Sequence, residues 1–312
     1  MCAPKPGTSH GGRRGLVGVT SVALVVLTLG SLFATNDIGF TRDESFYFRY
    51  GRQYADWFQA LENAESATTR HEVLARTKVV DTWIGNFEHP PLMKSAFGSS
   101  WRHLAYKDRP LAPSARKDSK GRVQARISAL APADGFRVGA RVRLLAPLSL
   151  DGHAGATSRH LGEGIVTKRG VRDATVAVEL GGRDLSLCTP SLGPMTMTGC
   201  QARELRTWAL LDEATAMRLP AFLATAIAVL FTFLLGTHMV SWFTGAFAAL
   251  AFLFTPRHFF HGHLIAFDMA IVAAMMATLY AFWRARDDRR WALIAGLAWG
   301  ISLLIKHNAF FM

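Results

Sequence analysis

The chain has 312 residues, of which 50% are hydrophobic, and its formal net charge is +12. This length and apolar content are typical of a membrane protein with more than one domain and exclude an ordinary soluble domain. The positive charge does not predict nucleic-acid binding, because the sequence has no basic face with interleaved aromatic residues and its long polar segment mixes bases with acids.

Five apolar segments predict membrane helices. Each segment approaches the roughly 20 residues that cross about 30 Å of hydrocarbon. Arg13 and Arg14 precede the first segment as they would precede a signal peptide, but residues 35–37 lack a small-residue cleavage pattern, so we predict a retained anchor. The segments are residues 16–34, 219–236, 239–255, 264–283 and 291–305.

Basic residues at the ends of these segments predict their orientation. Three precede the first helix and four lie between the fourth and the fifth: Lys5, Arg13, Arg14, Arg284, Arg286, Arg289 and Arg290. Because Lys and Arg in short loops favour the cytoplasm, both places are predicted to be cytoplasmic. Residues 36–218, 256–263 and 306–312 are then predicted to lie on the extracytoplasmic side of a multi-pass protein.

The long extracytoplasmic segment changes character in its middle. Helical patterns occupy residues 41–61 and 70–83 and continue to about residue 104, whereas short β-like runs follow, separated by Gly, Pro and Asp turns. The runs predict a small, barrel-like β-rich insert, in which Cys188 could pair with Cys200. The insert could be a spacer, a partner-binding module or a substrate-binding module. The β-like runs are residues 123–129, 140–145, 164–168 and 174–180.

The predicted fold is a mainly α-helical, polytopic membrane protein with about five membrane helices and a small β-rich extracytoplasmic insert. The predicted divisions are a cytoplasmic N-terminus (1–15), membrane helix 1 (16–35), juxtamembrane helices that carry the polar motifs (36–117), the β-rich insert (118–200), a juxtamembrane helix (201–218) and membrane helices 2–5 (219–312).

Unusual polar residues gather on the predicted extracytoplasmic face. They form an acidic pair after the first helix, the segment NFEHPPLMKS, a histidine-containing loop and the polar ends of the last two helices. The side chains of interest are Asp43, Glu44, Glu88, His89, Lys94, His258, His261, His263, Asp268, Lys306 and His307.

The charged residues of this set have structural alternatives. The segment from Thr41 to Glu44 fits a helix capping box, which explains Asp43 as well as a functional role does. Asp268 in a first helical turn meets the positive end of the helix dipole, although an acid in a membrane span is costly enough to favour function. Lys306 could simply extend to the lipid headgroups.

The histidines are open to two interpretations. His258, His261 and His263 could be interfacial side chains without any ligand role. Alternatively, His261 and His263 could supply ligands for a metal ion, because imidazole nitrogens are common metal ligands.

The order of these motifs resembles that of the polyprenyl-phosphate-dependent membrane glycosyltransferases of the GT-C fold. That group includes the protein O-mannosyltransferases, which carry a His-Pro-Pro-Leu-Gly-Lys motif, and the lipid A aminoarabinose transferases, which carry an acid followed by Lys-Pro-Pro-Leu. Here the corresponding segment reads Glu88-His-Pro-Pro-Leu-Met-Lys94, with His89 in place of the lysine. The resemblance covers residues 15–104 and 205–312. Its other motifs are Arg42-Asp-Glu44, Arg218-Leu-Pro220, Asp268 and Gly300-Ile-Ser-Leu-Leu-Ile-Lys306.

The resemblance implies an enzyme that moves a sugar from a polyprenyl-phosphate donor to a hydroxyl of a lipid, protein or glycan, with inversion, at the extracytoplasmic face of a bacterial inner membrane. It implies Asp43 as the general base, with Glu44 beside it in the catalytic pair. A divalent metal ion bound by Glu88, His261 and His263 is an option, and no other cofactor is implied. The residues implied for binding the donor phosphate and sugar are Glu88, His89, Lys94, Asp268 and Lys306.

Two other functions remain open from the sequence. The enzymes of this resemblance have more helices than the five predicted here, and the sequence stops inside an apolar stretch, so we expect an N-terminal portion of such an enzyme. A truncated, non-catalytic membrane protein whose insert binds a partner or an envelope component fits the same observation. A transporter would instead predict repeat symmetry and charges deeper in the spans, and the sequence shows neither.

Overall fold

The computed structural model describes residues 10–85, 89–117, 122–128, 130, 134–146, 159–170, 173–179 and 200–311. This part of the chain is mostly helical and divides into two compact units, each built from segments that are distant in sequence. The membrane unit comprises Met1–Gly51, Val80–Gly98 and Met217–Met312. The barrel unit comprises Arg52–Val79 and Ser99–Ala216.

Five described helices precede the first described strand. Pro91 occupies the first position of its helix, where its missing N–H leaves no intrahelical hydrogen bond unmade. The predicted helical patterns recur here, except that the single predicted stretch 70–83 is divided between two short helices. They are α1 (His10–Ala34), α2 (Arg42–Glu62), α3 (Ala67–Leu74), α4 (Arg76–Trp83) and α5 (Pro91–Leu104).

Six antiparallel strands close into a small barrel with the order β1-β2-β5-β4-β3-β6. Alternate apolar side chains fill its interior, among them Leu111, Ile127, Val142 and Val176. The predicted β-rich insert is therefore confirmed as a barrel. The strands are β1 (Asp108–Lys117), β2 (Val123–Ser128), β3 (Arg141–Ala146), β4 (Arg159–Arg169), β5 (Asp173–Glu179) and β6 (Gln201–Glu204).

The barrel extends past both predicted boundaries of the insert. β1 begins at Asp108, ahead of the predicted boundary at residue 118, and β6 occupies the start of the predicted juxtamembrane helix 201–218. β6 pairs with both β1 and β3, so barrel closure overrides the local helical pattern. Cys200, just before β6, is buried and disulfide-bonded, whereas Cys188 lies outside the described residues.

The remaining helices follow the barrel. α6 begins earlier than the predicted span at residue 219, because the Asp212 carboxylate accepts hydrogen bonds from the N–H groups of Ala214 and Thr215, at 3.0 Å each, and caps the helix. Pro220 consequently lies inside α6. The helices are α6 (Glu213–Met239), α7 (Trp242–Phe254), α8 (Pro256–His263), α9 (Asp268–Arg284) and α10 (Arg290–Ile305), followed by a 3-10 helix (His307–Phe311).

Two described helices, α1 and α6, are long and apolar enough to cross a membrane. α8 and α9 form a third candidate if they are one broken span, bent by 113°. The apolar helices α7 and α10 have only 13 and 16 residues. Of the five predicted spans, the structure thus supports two or three by length, and the predicted loop 256–263 is the helix α8.

Glycines allow α6 and α7 to approach each other closely. A Cβ added to Gly236 would lie 2.8 Å from the Cα of Gly245, and a Cβ added to Gly245 would lie 2.4 Å from the carbonyl oxygen of Phe233. Real Cβ atoms do not approach backbone atoms so closely, so this helix crossing needs glycine at both positions. Beside it, Leu24 of α1 packs with Val229, Phe233, Ala249 and Leu253.

Candidate active site

The acidic pair opens α2, where the two carboxylates have different surroundings. The N–H of Thr41 donates to Glu44 Oε2 at 2.9 Å, so the Glu44 side chain turns back to the helix start as the capping-box pattern predicts. The N–H of Ile265 donates to Glu44 Oε1 at 3.0 Å. Glu44 is therefore tied to its own helix and to the break between α8 and α9.

Glu44 also forms a buried ion pair with Arg218 of α6. Arg218 Nε donates to Glu44 Oε1 at 3.1 Å and Nη2 donates to Oε2 at 3.2 Å, and both side chains are 1% exposed. The geometry is bidentate, which suits the planar guanidinium. Both carboxylate oxygens of Glu44 thus accept several hydrogen bonds in a buried environment.

The other face of Arg218 holds the loop between α1 and α2. Its Nη1 donates to the carbonyl oxygens of Asn36 and Ile38, at 3.3 and 3.2 Å, and its Nη2 donates to the carbonyl oxygen of Gly39 at 3.2 Å. One buried guanidinium thus fixes the backbone on the N-terminal side of α2. The sequence contained Arg218 within a motif but gave no reason to expect this role.

Asp43 is presented differently from its neighbour. Its side chain is exposed, and within the described ranges no group donates a hydrogen bond to its carboxylate. The loop before it and Glu44 after it are both fixed by Arg218. The structure therefore combines an accessible carboxylate with a rigid backbone, which is what a general base requires.

The segment that contains the His-Pro-Pro motif is only partly described, since Glu88 lies outside the described residues. The His89 ring packs against the Phe267 ring at a centroid distance of 4.8 Å, and Tyr47 contacts the same ring at 4.7 Å. Lys94 is buried, and its Nζ donates to the carbonyl oxygen of Gly85 at 3.4 Å. Lys94 therefore supports the chain that leads into this motif.

Asp268, Lys306 and His261 meet at the start of α9. Lys306 Nζ donates to Asp268 Oδ1 at 3.2 Å, and His261 Nδ1 lies 3.2 Å from Asp268 Oδ2. The carboxylate is 45% exposed and the two bases are each 29% exposed. This polar cluster is accessible, and the Lys306 amine and the His261 imidazole both face the Asp268 carboxylate.

His263 is separated from that cluster. Its Nδ1 donates to the carbonyl oxygen of Phe259 at 2.8 Å, and its Nε2 lies 2.9 Å from Thr35 Oγ1. The ring is buried, and both of its nitrogens have partners within the protein. No group of three potential metal ligands exists among the residues that the structure describes, and Glu88, the third residue of the predicted metal site, lies outside them.

An apolar groove lies within the membrane unit between α5, α6, α9 and α10. Its volume is about 410 Å³, and all of its lining residues are apolar. Ile305, which lines the groove, is adjacent in sequence to Lys306, and Ala270 lies in the same helical turn as Asp268. One end of the groove is therefore close to the polar cluster. The other lining residues include Leu92, Met93, Leu223, Ala273, Ala274 and Ile301.

Part of the chain matches a protein-family model. Residues 206–312 match the model of the dolichyl-phosphate-mannose-protein mannosyltransferases. Neither a curated protein nor a solved structure matches the chain significantly. Over this C-terminal part, the chain is thus similar to a family of membrane glycosyltransferases of the GT-C type, which supports the resemblance seen in its motifs. The matched segment contains Arg218, His261, Asp268 and Lys306.

Proposed function

We propose that this protein is a membrane glycosyltransferase that moves a sugar from a polyprenyl-phosphate donor to a hydroxyl acceptor at the extracytoplasmic face, with inversion. The observation that carries the proposal is the exposed Asp43 carboxylate on a backbone fixed by the buried pair of Glu44 and Arg218. The similarity of the C-terminal segment to lipid-linked sugar transferases supports the choice of reaction.

Asp43 is the proposed general base. As the acceptor oxygen bonds to the anomeric carbon, Asp43 takes the proton of the acceptor hydroxyl. The bond between the anomeric carbon and the phosphate oxygen breaks, and polyprenyl phosphate leaves with the electron pair. Attack opposite the leaving group inverts the anomeric centre. A phosphate leaving group needs no proton donor, so one carboxylate is sufficient, and assistance by a general base contributes about 10²- to 10⁴-fold to the rate.

The donor is proposed to bind along the apolar groove. Its isoprenoid tail would occupy the groove between α6, α9 and α10, because an entirely apolar lining of about 410 Å³ suits hydrocarbon and offers no hydrogen bonds to a polar ligand. The phosphate would then lie at the polar end. Lys306 and His261 there would offset the negative charge that develops on the leaving phosphate.

Asp268 keeps those two bases in place. Its two carboxylate oxygens contact Lys306 and His261 separately, so one acid sets the spacing of both groups. We assign Lys94 a supporting role through its hydrogen bond to Gly85, and His89 a contact to the donor or the acceptor from its place against Phe267. Glu88 is proposed to contact the sugar on the basis of its motif alone.

The reaction itself is tested by transfer from a defined donor. Membranes that contain the protein are incubated with a polyprenyl-phosphate sugar of known anomeric configuration, and the product is analysed by NMR. The proposal predicts a new glycosidic bond whose configuration is opposite to that of the donor. A retained configuration, or activity with a nucleotide sugar in place of the lipid-linked one, would contradict it.

A further inference from the structure

Arg284 lies in the last turn of α9, where the ends of three helices of the membrane unit meet. Its Nη1 lies 3.3 Å from His238 Nε2, in the last turn of α6, and 3.4 Å from Tyr280 Oη. Its Cζ lies 5.1 Å from the ring centroid of Trp291, near the start of α10. One imidazole and two aromatic rings thus surround the guanidinium.

The Arg284 guanidinium has no anionic partner in the part of the chain that the structure describes. Its two hydrogen bonds are long, go to uncharged groups and both use Nη1. Its Nε is buried without a hydrogen bond. Its Nη2 makes no hydrogen bond to a described residue and is not among the buried atoms, so it is open to a ligand. The following acid Asp288 instead accepts from the N–H of Arg290.

A partly enclosed cation without an anion is costly, because burial removes some of its hydration. The same helix end shows how an ordinary interfacial arginine behaves. Arg286 is exposed, and its Cζ lies 4.5 Å from the Trp283 ring, so it remains hydrated on the surface. Favourable interaction with the C-terminal end of the α9 dipole explains a cation in the last turn, but it does not explain an enclosure by side chains from α6 and α10.

The position of this cluster at the end of a candidate membrane span indicates the class of ligand. The apolar helix α6, a candidate span, ends beside it, and Tyr and Trp side chains are enriched where spans reach the headgroups. Exposed apolar residues of α9, Leu279 and Phe282, lie directly next to the cluster in sequence. A ligand there would have its charged group at the guanidinium and its hydrocarbon along that helix.

We propose that Arg284, His238, Tyr280 and Trp291 form a binding site for the phosphate of an anionic phospholipid. The two terminal nitrogens of Arg284 match two phosphate oxygens, as in other bidentate guanidinium contacts. The Tyr280 hydroxyl, which now accepts from Arg284, is free to donate to a third oxygen. The site is independent of the proposed sugar transfer and involves none of its residues.

Thermal unfolding of the purified full chain in detergent tests this site. Phosphatidylglycerol and phosphatidylcholine with the same acyl chains are titrated separately, and the lipid fraction that gives half of the stabilisation is measured. The wild-type protein and Arg286→Gln should respond to phosphatidylglycerol equally. Arg284→Gln should need on the order of tenfold more of it, because a bidentate charged contact is lost.

Three outcomes would overturn the proposal. One is an unchanged response of Arg284→Gln, and the second is equal half-saturation by the two lipids with wild-type protein, a comparison that does not depend on any variant folding. The third is full stabilisation by inorganic phosphate alone at matched ionic strength, which would indicate a site for soluble phosphate. Selective stabilisation by phosphatidylglycerol that is weakened in Arg284→Gln but not in Arg286→Gln would support a lipid site.

Discussion

Glu44 and Arg218 form a bidentate, fully buried ion pair although 174 positions separate them in sequence. The pair joins the start of α2 to α6, and the same arginine binds three carbonyl groups of the loop that precedes Asp43. Asp43 consequently has a fixed backbone and an exposed carboxylate. The proposed reaction depends on that combination.

Removing either member of this pair is expected to be costly. Arg218→Ala leaves the Glu44 carboxylate buried without its counter-charge, and the free energy of unfolding should fall by about 3–5 kcal/mol. Arg218→Lys should recover little of this, because a lysine cannot form two parallel hydrogen bonds. The measurement is chemical unfolding in detergent. The double variant Glu44→Ala/Arg218→Ala should lose less free energy of unfolding than the two single variants together. A loss equal to the sum of the two single losses would show that the residues do not act as a pair.

Asp268 is expected to affect donor binding more than turnover. Asp268→Asn weakens the contacts that hold Lys306 and His261, so the KM for the polyprenyl-phosphate donor should rise about tenfold, since hydrogen bonds to charged groups contribute about 1.5–3 kcal/mol. Initial rates over a range of donor concentrations measure this. Glu65→Gln, which changes an exposed acid of the barrel unit, should leave the KM unchanged. A normal KM with a large loss of kcat would contradict the proposed binding role.

The apolar groove is expected to select for the lipid tail. Ala274→Phe places a ring in the groove and should raise the KM for a long-chain donor, while a donor with a short isoprenoid chain should be affected less. Leu279→Phe is the matched control, because Leu279 lies on the same helix with 45% of its surface exposed and does not line the groove. Equal effects of Ala274→Phe on long and short donors would place the tail elsewhere.

Two glycines offer opposite predictions for stability. Gly245→Ala places a methyl group 2.4 Å from the Phe233 carbonyl oxygen and should lower the free energy of unfolding by about 1–3 kcal/mol, the usual cost of overpacking. Gly296→Ala on α10 meets no atom within 4 Å and should raise it by about 0.5–1 kcal/mol through helix propensity. Thermal unfolding of both variants beside wild type measures the difference. A stabilised Gly245→Ala protein would contradict the close approach of α6 and α7.

Lys107 predicts how the stability of the barrel unit depends on pH. Burial lowers the pKa of the Lys107 amine to about 7. The negative charge of the nearby Asp134 raises this pKa but does not offset the effect of burial. Between pH 7 and 10.5 the unfolded chain binds more protons than the folded chain, so the free energy of unfolding rises with pH in this window. Below pH 7 the amine is protonated in both states, and the full cost of burying its charge lowers the stability. From pH 7 to 9 the gain is about 2 kcal/mol at most.

The test of this dependence compares two lysine variants. Lys107→Met should flatten the rise of the unfolding temperature between pH 7 and pH 9, because no buried amine remains to lose its proton. Lys168→Met changes an exposed lysine of β4 and should retain the rise. Identical pH profiles for wild type and Lys107→Met would show that Lys107 is not responsible.

Local patterns in the sequence were sufficient for β2 to β5 and for most helices, because these elements depend on periodicity and turn residues, but they predicted neither β1 nor α8. They were insufficient for β6, which is specified by pairing with β1 and β3 and not by its own four residues. Long apolar stretches predicted five spans, but α7 and α10 have only 13 and 16 residues, and the chain breaks between α8 and α9.

The candidate site shows the same limit. The sequence identified Asp43, Glu44, Asp268, Lys306 and His261 as residues of interest, and the structure brings the last three together. The sequence did not show that Asp43 is exposed and Glu44 is buried, since that difference arises from contacts with residues distant in sequence. The groove was also invisible, because alanines that line a cavity and alanines that pack in a core look the same in sequence.

The most direct test of the account is sugar transfer by Asp43→Asn. This change removes the base but keeps the size of the side chain, and Asp37→Asn is the matched control, an exposed acid in the preceding loop. With a polyprenyl-phosphate sugar as donor, Asp43→Asn should lower the rate of transfer by about 10²- to 10⁴-fold, while Asp37→Asn should transfer at the wild-type rate. Transfer by Asp43→Asn at the wild-type rate would contradict the account.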